Sequence, residues 1–196
     1  NKVVVDSLNI EIRKGEIFMI KITLKGDVVK EYEQGITAYE VAKDISMGLY
    51  RNLCACLING VSADIRTPIN EDCTLELLTF DSDEGKHAFW HTASHILAQA
   101  VKRLYPDAKL AIGPAIDNGF YYDIDCETSF TPELLTKIEA EMKKIVKEDL
   151  PLEKFQMEPQ AAIEEMKAKG EIYKVELIEE HAGKNEPISF YKQGEF

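Results

Sequence analysis

The 196 residues include 45% apolar and 30% charged side chains, with 23 Lys and Arg against 35 Asp and Glu, for a formal net charge of −12. That length and apolar content can bury a core without staples, and they exclude a disordered chain, a collagen-like chain and a disulfide scaffold. No apolar run reaches the ~18 residues of a membrane span. The first twenty residues, broken by Asp6, Glu11, Arg13 and Lys14, lack the basic start and continuous apolar stretch of a signal peptide. A cytosolic location is the expectation. Cys54, Cys56, Cys73 and Cys126 form no C-x-x-C pair and are expected to be reduced. The acidic balance argues against gripping nucleic acid by charge alone. It is uneven, however: residues 86–110 hold Lys86, Lys102, Arg103 and Lys109 against Asp107 alone.

In chain order, residues 17–24 and 28–33 read as a strand pair around a Lys-Gly-Asp turn. Thr37 followed by Glu40 is a capping-box signature, with Ala38, Val41, Ala42 and Ile45 at helical spacing behind it and Gly48 as the predicted stop. CACLI at 54–58, an Asn59-Gly60 turn, VSADI, Pro68 and TLELLTF at 74–80 read as strands with turn punctuation. The order ββαβ plus a last strand predicts a small α+β domain with one helix on a mixed sheet. DSDEG at 81–85 reads as an acidic connector, after which the apolar period changes from 2 to 3.6.

Residues 86–104 then read as a helix with Pro106 beyond its end. KLAIGPAI at 109–116 and FYYDI at 120–124 flank an Asp-Asn-Gly turn. Thr131-Pro132 supplies an N-cap and a first-turn proline for a helix patterned by Leu134, Ile138, Met142 and Ile145. A strand at 152–157, a helix from Pro159 to Lys169, a helical or irregular YKVELIEEHA stretch and a strand at 187–193 complete the reading.

His91 and His95 are four residues apart on the predicted helix, so both imidazoles can face one cleft. Such a pair suits a metal, or a metal-free site in which one ring holds water and the other takes its proton; it also suits two surface or hydrogen-bonded structural histidines. Thr92 stands where a zinc protease has glutamate, which disfavours that class. His87 reads as solvated. The segment from Gly113 to Asp125 places Tyr121, Tyr122, Asp123 and Asp125 around a turn, either as a pocket or as aromatic packing. Lys174 reads as a cation for phosphate or water, or as half of a surface ion pair. The glutamates of 139–180 read first as a solvated face.

Residues 91–125, HTASHILAQAVKRLYPDAKLAIGPAIDNGFYYDID, closely resemble the editing-domain signature of threonyl-tRNA synthetases, and the resemblance extends through Lys174. Residues 19–80 resemble the TGS domain, a β-grasp fold, that precedes it in bacterial members. The resemblance implies an α+β chain: residues 1–18 as an extension ahead of a native start at Met19, a TGS domain at 19–80, a linker at 81–85, and an editing domain of the threonyl/alanyl type at 86–196, truncated at its C-terminal end.

It further implies the N-terminal part of an ATP-dependent ligase that attaches threonine to tRNA(Thr), with this module hydrolysing mischarged Ser-tRNA(Thr). His91, His95 and Lys174 are then catalytic, and Tyr122 lines the substrate pocket. The family completes this site with an Asp and a Cys-x-x-x-His not found among the 196 residues. The expectation is therefore no metal at His91 and His95, and hydrolysis that depends on the missing segment. ATP, Mg and Zn are expected only for an aminoacylation domain outside this sequence. The implied partner is the tRNA(Thr) acceptor end, with no membrane, a monomeric fragment and a homodimeric full-length enzyme. The readings weighed against this are a regulatory module of a nucleoside-kinase fusion, a stand-alone trans-editing hydrolase, and a non-catalytic tRNA- or ligand-binding module.

Overall fold

Left-handed backbone at Gly26 (φ 82°) and Asp27 (φ 60°) reverses the chain after its first strand, a conformation that glycine and short polar residues adopt most readily. The fold is given by a computed structural model describing residues 18–183 and 188–196; the predicted extension, apart from Phe18, lies outside the described residues. Around the turn, β1 (Met19–Leu24) and β2 (Val28–Glu33) pair antiparallel from Leu24↔Val28 to Met19↔Glu33. The chain divides into two compact units, one ending at Lys86 and one running from His87 to Phe196.

In the first unit, β3 (Ile36–Thr37) leads into α1 (Ala38–Ile45) through the predicted capping box. Thr37 Oγ1 accepts the Glu40 N–H at 3.3 Å, and Glu40 Oε2 accepts the Thr37 N–H at 2.9 Å. Gly48 does not stop this helix. Ser46 does, because its extended backbone (φ −167°) breaks the helix while its Oγ accepts the Leu49 N–H and caps α2 (Met47–Asn52), which contains Gly48. Then follow β4 (Leu53–Ile58), β5 (Val61–Ala63), β6 (Pro68–Ile69) and β7 (Cys73–Thr79).

The main sheet has the order β2-β1-β7-β4-β5, with β1 and β7 parallel and the other pairs antiparallel. Ala38 and Val41 of α1 cover its Ile20, Ile22, Cys56 and Leu75, all buried. One helix on a mixed sheet is the β-grasp arrangement predicted above. Each fully buried aliphatic side chain here stabilises by about 1.5–3 kcal/mol.

The acidic stretch 81–85 is not a free connector. α3 spans Asp83–Leu104. Ser82 Oγ accepts the Gly85 N–H at 3.0 Å, and Asp83 and Glu84 occupy the first turn, where negative charge meets the positive end of the helix dipole. The acidic residues are thus a helix start. Gly85 is obligatory there, because a Cβ would lie 1.9 Å from the Thr79 carbonyl oxygen.

In the second unit, α3 is followed by β8 (Lys109–Leu110), β9 (Ala115–Ile116), β10 (Gly119–Phe120) and β11 (Ile124–Asp125). The two predicted long strands are therefore a hairpin broken in its middle: β9 pairs with β10 and β8 with β11. Then come α4 (Pro132–Glu148), β12 (Leu152–Gln156), α5 (Pro159–Ala168), α6 (Ile172–Gly183) and β13 (Ser189–Gln193). The first residue of the predicted last strand, 187, lies outside the described residues. β13 pairs antiparallel with β12.

Two cores result. Ala100 and Val101 of α3 pack with Leu134, Ile138 and Ile145 of α4, and Ala162 and Met166 of α5 pack with Val175 and Ile178 of α6. Arg103 fastens α3 to α4 through a two-pronged contact with Glu148, both at 2.7 Å. Among the described residues no helix is long and apolar enough to cross a membrane. Substituting Thr37→Ala removes the cap of α1 and should cost about 1 kcal/mol, measurable as a lower urea midpoint with an unchanged slope; an unchanged midpoint would remove the cap from the account.

Candidate active site

Intervals of four and seven residues bring His91, His95 and Lys102 to nearly one direction on α3. All three line a cleft of about 1410 Å³ in the second unit, together with Tyr122, with Lys174 of α6 and with Glu171 just before that helix. The structure therefore brings all four of His91, His95, Tyr122 and Lys174 to one cleft.

His91 Nε2 and His95 Nε2 are 3.1 Å apart, a hydrogen-bond distance, with the rings nearly perpendicular. Such a bond needs one ring to carry its proton on Nε2 and the other to present a bare Nε2; two imidazolium rings would face each other N–H to N–H. Burial lowers the His95 pKa to about 4, with the neighbouring His91 and Lys174 adding to it. Burial also lowers His91, helped by His87. The pair is thus held neutral at neutral pH. His87, by contrast, is exposed, its ring stacked 6.4 Å from that of His91.

Lys174 is not half of a surface ion pair. It is turned inward from α6, its Nζ donating to the Ala111 carbonyl at 3.0 Å and lying 3.4 Å from the Tyr122 hydroxyl. Desolvation pushes its pKa down, and the nearby Glu171 acts in the opposite direction. Burial pushes the Tyr122 phenol up to about 12, with Glu171 adding to the shift, so the hydroxyl keeps its proton.

The break in the β8–β11 hairpin has a local cause. The Tyr122 ring lies against Gly113, where a Cβ would sit 2.2 Å from the ring, while the Ala111 N–H still donates to the Asp123 carbonyl at 3.0 Å and the Asp123 N–H to the Ile112 carbonyl at 2.8 Å across the gap. Tyr121 is exposed and points no role to itself; Asp125 accepts the Tyr173 hydroxyl at 3.0 Å on an exposed edge.

Three features escaped the sequence reading. Gly113 reads only as part of the predicted strand 109–116, although a glycine opposite an aromatic in a predicted hairpin is the signal of a ring packed on backbone. Tyr191 of β13 stands 5.6 Å from the His95 ring and 6.2 Å from the His91 ring, an apposition across a hundred residues with no local signal. Glu171, grouped with the solvated glutamates, is 8% exposed and takes Lys102 Nζ at 2.6 Å; the signal available was Lys102 on the face of His95. Among the described residues no cluster of three or more His, Cys, Asp or Glu side chains is arranged to hold a metal ion.

Comparison with known proteins bears on both units. A family model described as the TGS domain matches residues 20–79. Over 178 residues, 91% of this chain, the sequence is 58% identical to threonine--tRNA ligase of Clostridium acetobutylicum, 60% identical to that of Acetivibrio thermocellus and 56% identical to that of Clostridioides difficile. The chain spans 28% of the length of each of these relatives. The TGS match falls on the β-grasp sheet of the first unit. Over 91% of its length the chain is similar to these threonine--tRNA ligases, and it matches their N-terminal part.

The depressed His95 pKa has a stability consequence. The unfolded imidazole, near pKa 6.5, binds a proton that the folded one, at about 4, refuses. Stability is therefore full above about pH 6.5 and falls as the pH drops through that window, by up to ~3 kcal/mol once both states are protonated. Urea denaturation at stepped pH should show this fall for the parent chain and a shallower one for His95→Phe; equal slopes would contradict the assigned cause.

Proposed function

We propose that the cleft hydrolyses the ester of serine misattached to tRNA(Thr), within a threonine--tRNA ligase that uses ATP to attach threonine. Threonine exceeds serine by one methyl, and a methyl's worth of pocket contact discriminates by only about 1–3 kcal/mol. A second, hydrolytic site is the remedy for that limit. The observation that carries this reading is the convergence of a neutral, hydrogen-bonded histidine pair, an inward-facing lysine and a tyrosine on one cleft.

In this reading the acceptor end of tRNA(Thr) enters the cleft. His91 and Lys174 orient the attacking water and the terminal ribose hydroxyls. His95, at about 4, is too weak a base to take the proton from water directly. Its part is to hold the partner ring in one tautomer through the 3.1 Å bond and so to support proton transfer at His91. The Lys174 ammonium supplies positive charge where the ester oxygen becomes an oxyanion, and a site shielded from water strengthens that contact. Tyr122 lines the pocket and holds Lys174 from the other side. No step is routed through a metal, and the chain acts as a monomeric module of a cytoplasmic enzyme.

The relatives at 56–60% identity are named ligases, which favours this reading over a kinase-fused regulatory module. The test is His91→Ala in a threonine--tRNA ligase carrying this sequence, assayed by clearance of preformed Ser-tRNA(Thr). Loss of the group that positions the proton transfer should slow clearance by about 100-fold or more, with threonylation retained. Unchanged clearance would overturn the assignment.

A further inference from the structure

Glu171 differs from the glutamates around it. Glu176, Glu179 and Glu180 of α6 are exposed, whereas Glu171, immediately before the helix, is only 8% exposed. A carboxylate is buried at a cost unless it is paired and its oxygens are bonded. Here Oε1 accepts Lys102 Nζ at 2.6 Å, and Oε2 lies 3.5 Å from the Leu110 N–H. Lys102 is satisfied in turn: its remaining protons go to the carbonyls of Pro106 at 2.8 Å and Ala108 at 3.0 Å.

This one carboxylate therefore joins three elements that each contribute to the cleft. Lys102 stands seven residues after His95, two helical turns along the same face of α3. Leu110 precedes Ala111, whose carbonyl receives Lys174. Glu171 itself is one turn before Lys174, whose backbone N–H donates to the Glu171 carbonyl at 3.1 Å. We propose that Glu171, clamped by Lys102, is the positioning residue of the cleft: it fixes the helix bearing Lys174 against the helix bearing the histidines and keeps the Lys174 amine charged where it meets them. Its relevance to ester hydrolysis rests on the function proposed above; its hold on Lys174 does not.

The groups facing Lys174 leave Glu171 as the effective anion. His91 and His95 come from α3 and are neutral, and the Tyr122 phenol is protonated. His181 of α6 and Glu165 of α5 are half-buried at the cleft wall, Glu165 paired with Lys169 at 2.6 Å; Glu153, Lys154, Lys169, Lys192 and Glu195 reach the cleft as exposed side chains, where water screens them, and the Lys102 cation is held on Glu171 itself.

The experiment is an NMR titration of the Lys174 ε-methylene in the 196-residue chain, with thermal melting as a check on folding. In Glu171→Gln the amide keeps an acceptor for Lys102 but removes the charge, and the Lys174 midpoint should fall by about one pH unit. A merely structural role predicts the reverse, because a loosened helix admits water to a buried ammonium and moves its midpoint up toward the ordinary value. Lys102→Arg, which keeps the clamp, should leave the midpoint in place. If Glu171→Gln does not fold, Glu171→Met removes the charge and keeps the bulk, with Lys102 still held by the Pro106 and Ala108 carbonyls, and the midpoint should again fall. A midpoint that is unchanged or raised in a folded variant overturns the proposal, whether or not Ser-tRNA(Thr) is hydrolysed.

Discussion

Desolvation of the histidine pair is the constraint on which the rest of the site depends. Two imidazoles 3.1 Å apart can share a proton only if at least one of them is neutral, and burial, which lowers both pKa values, leaves both rings neutral at pH 7. Keeping water from them requires walls, and the walls come from distant chain: Tyr122 from the hairpin, Lys174 from α6, Tyr191 from β13. Once those walls are in place, Lys174 is desolvated as well, and its charge is supported by Glu171. The electrostatics of the cleft are thus consequences of its packing, more than of the identity of any one residue.

The packing in turn rests on α3. One stripe of this helix, Ala100 and Val101, meets α4, while His91, His95 and Lys102 face the cleft. Arg103 to Glu148 and Lys102 to Glu171 then fasten α3 to α4 and α6 from adjacent positions. The exposed Arg103 contact is worth little by itself, since solvent screens it. The partly buried Lys102 contact is different in kind: removing Lys102 leaves the charge of the buried Glu171 uncompensated, at a cost of up to about 3–5 kcal/mol. Two of the four cations in the locally basic run of residues 86–110, Lys102 and Arg103, are therefore committed to internal pairing.

The sequence was most legible where chemistry is local. The Lys-Gly-Asp turn, the Thr37–Glu40 box, the Asn59-Gly60 turn (φ 52° and 78°) and the Thr131-Pro132 start each depend on residues within one turn of each other. It was misleading where one residue type serves two uses. Gly48 ends nothing because Ser46 already does, and Asp83 and Glu84 initiate a helix instead of lining a loop. The histidine pair was legible as a spacing, whereas Tyr122 and Lys174 were each one of two open readings until the family resemblance joined them to it. Nothing local could show that Lys174 turns inward or that Glu171 is buried, since both facts are set by contacts with α3 and the hairpin, 61 to 69 positions away in sequence.

The central claim is that the cleft holds both histidines neutral and hydrogen-bonded at physiological pH. Long-range nitrogen–proton NMR of the imidazoles reads this directly, since it reports the charge and tautomer of each ring. At pH 7 the account predicts neutral His91 and His95 in complementary tautomers, one protonated on Nε2 and the other on Nδ1, with His95 remaining neutral down to about pH 4. An imidazolium signature for His95 at pH 6, or the same tautomer on both rings, would contradict it.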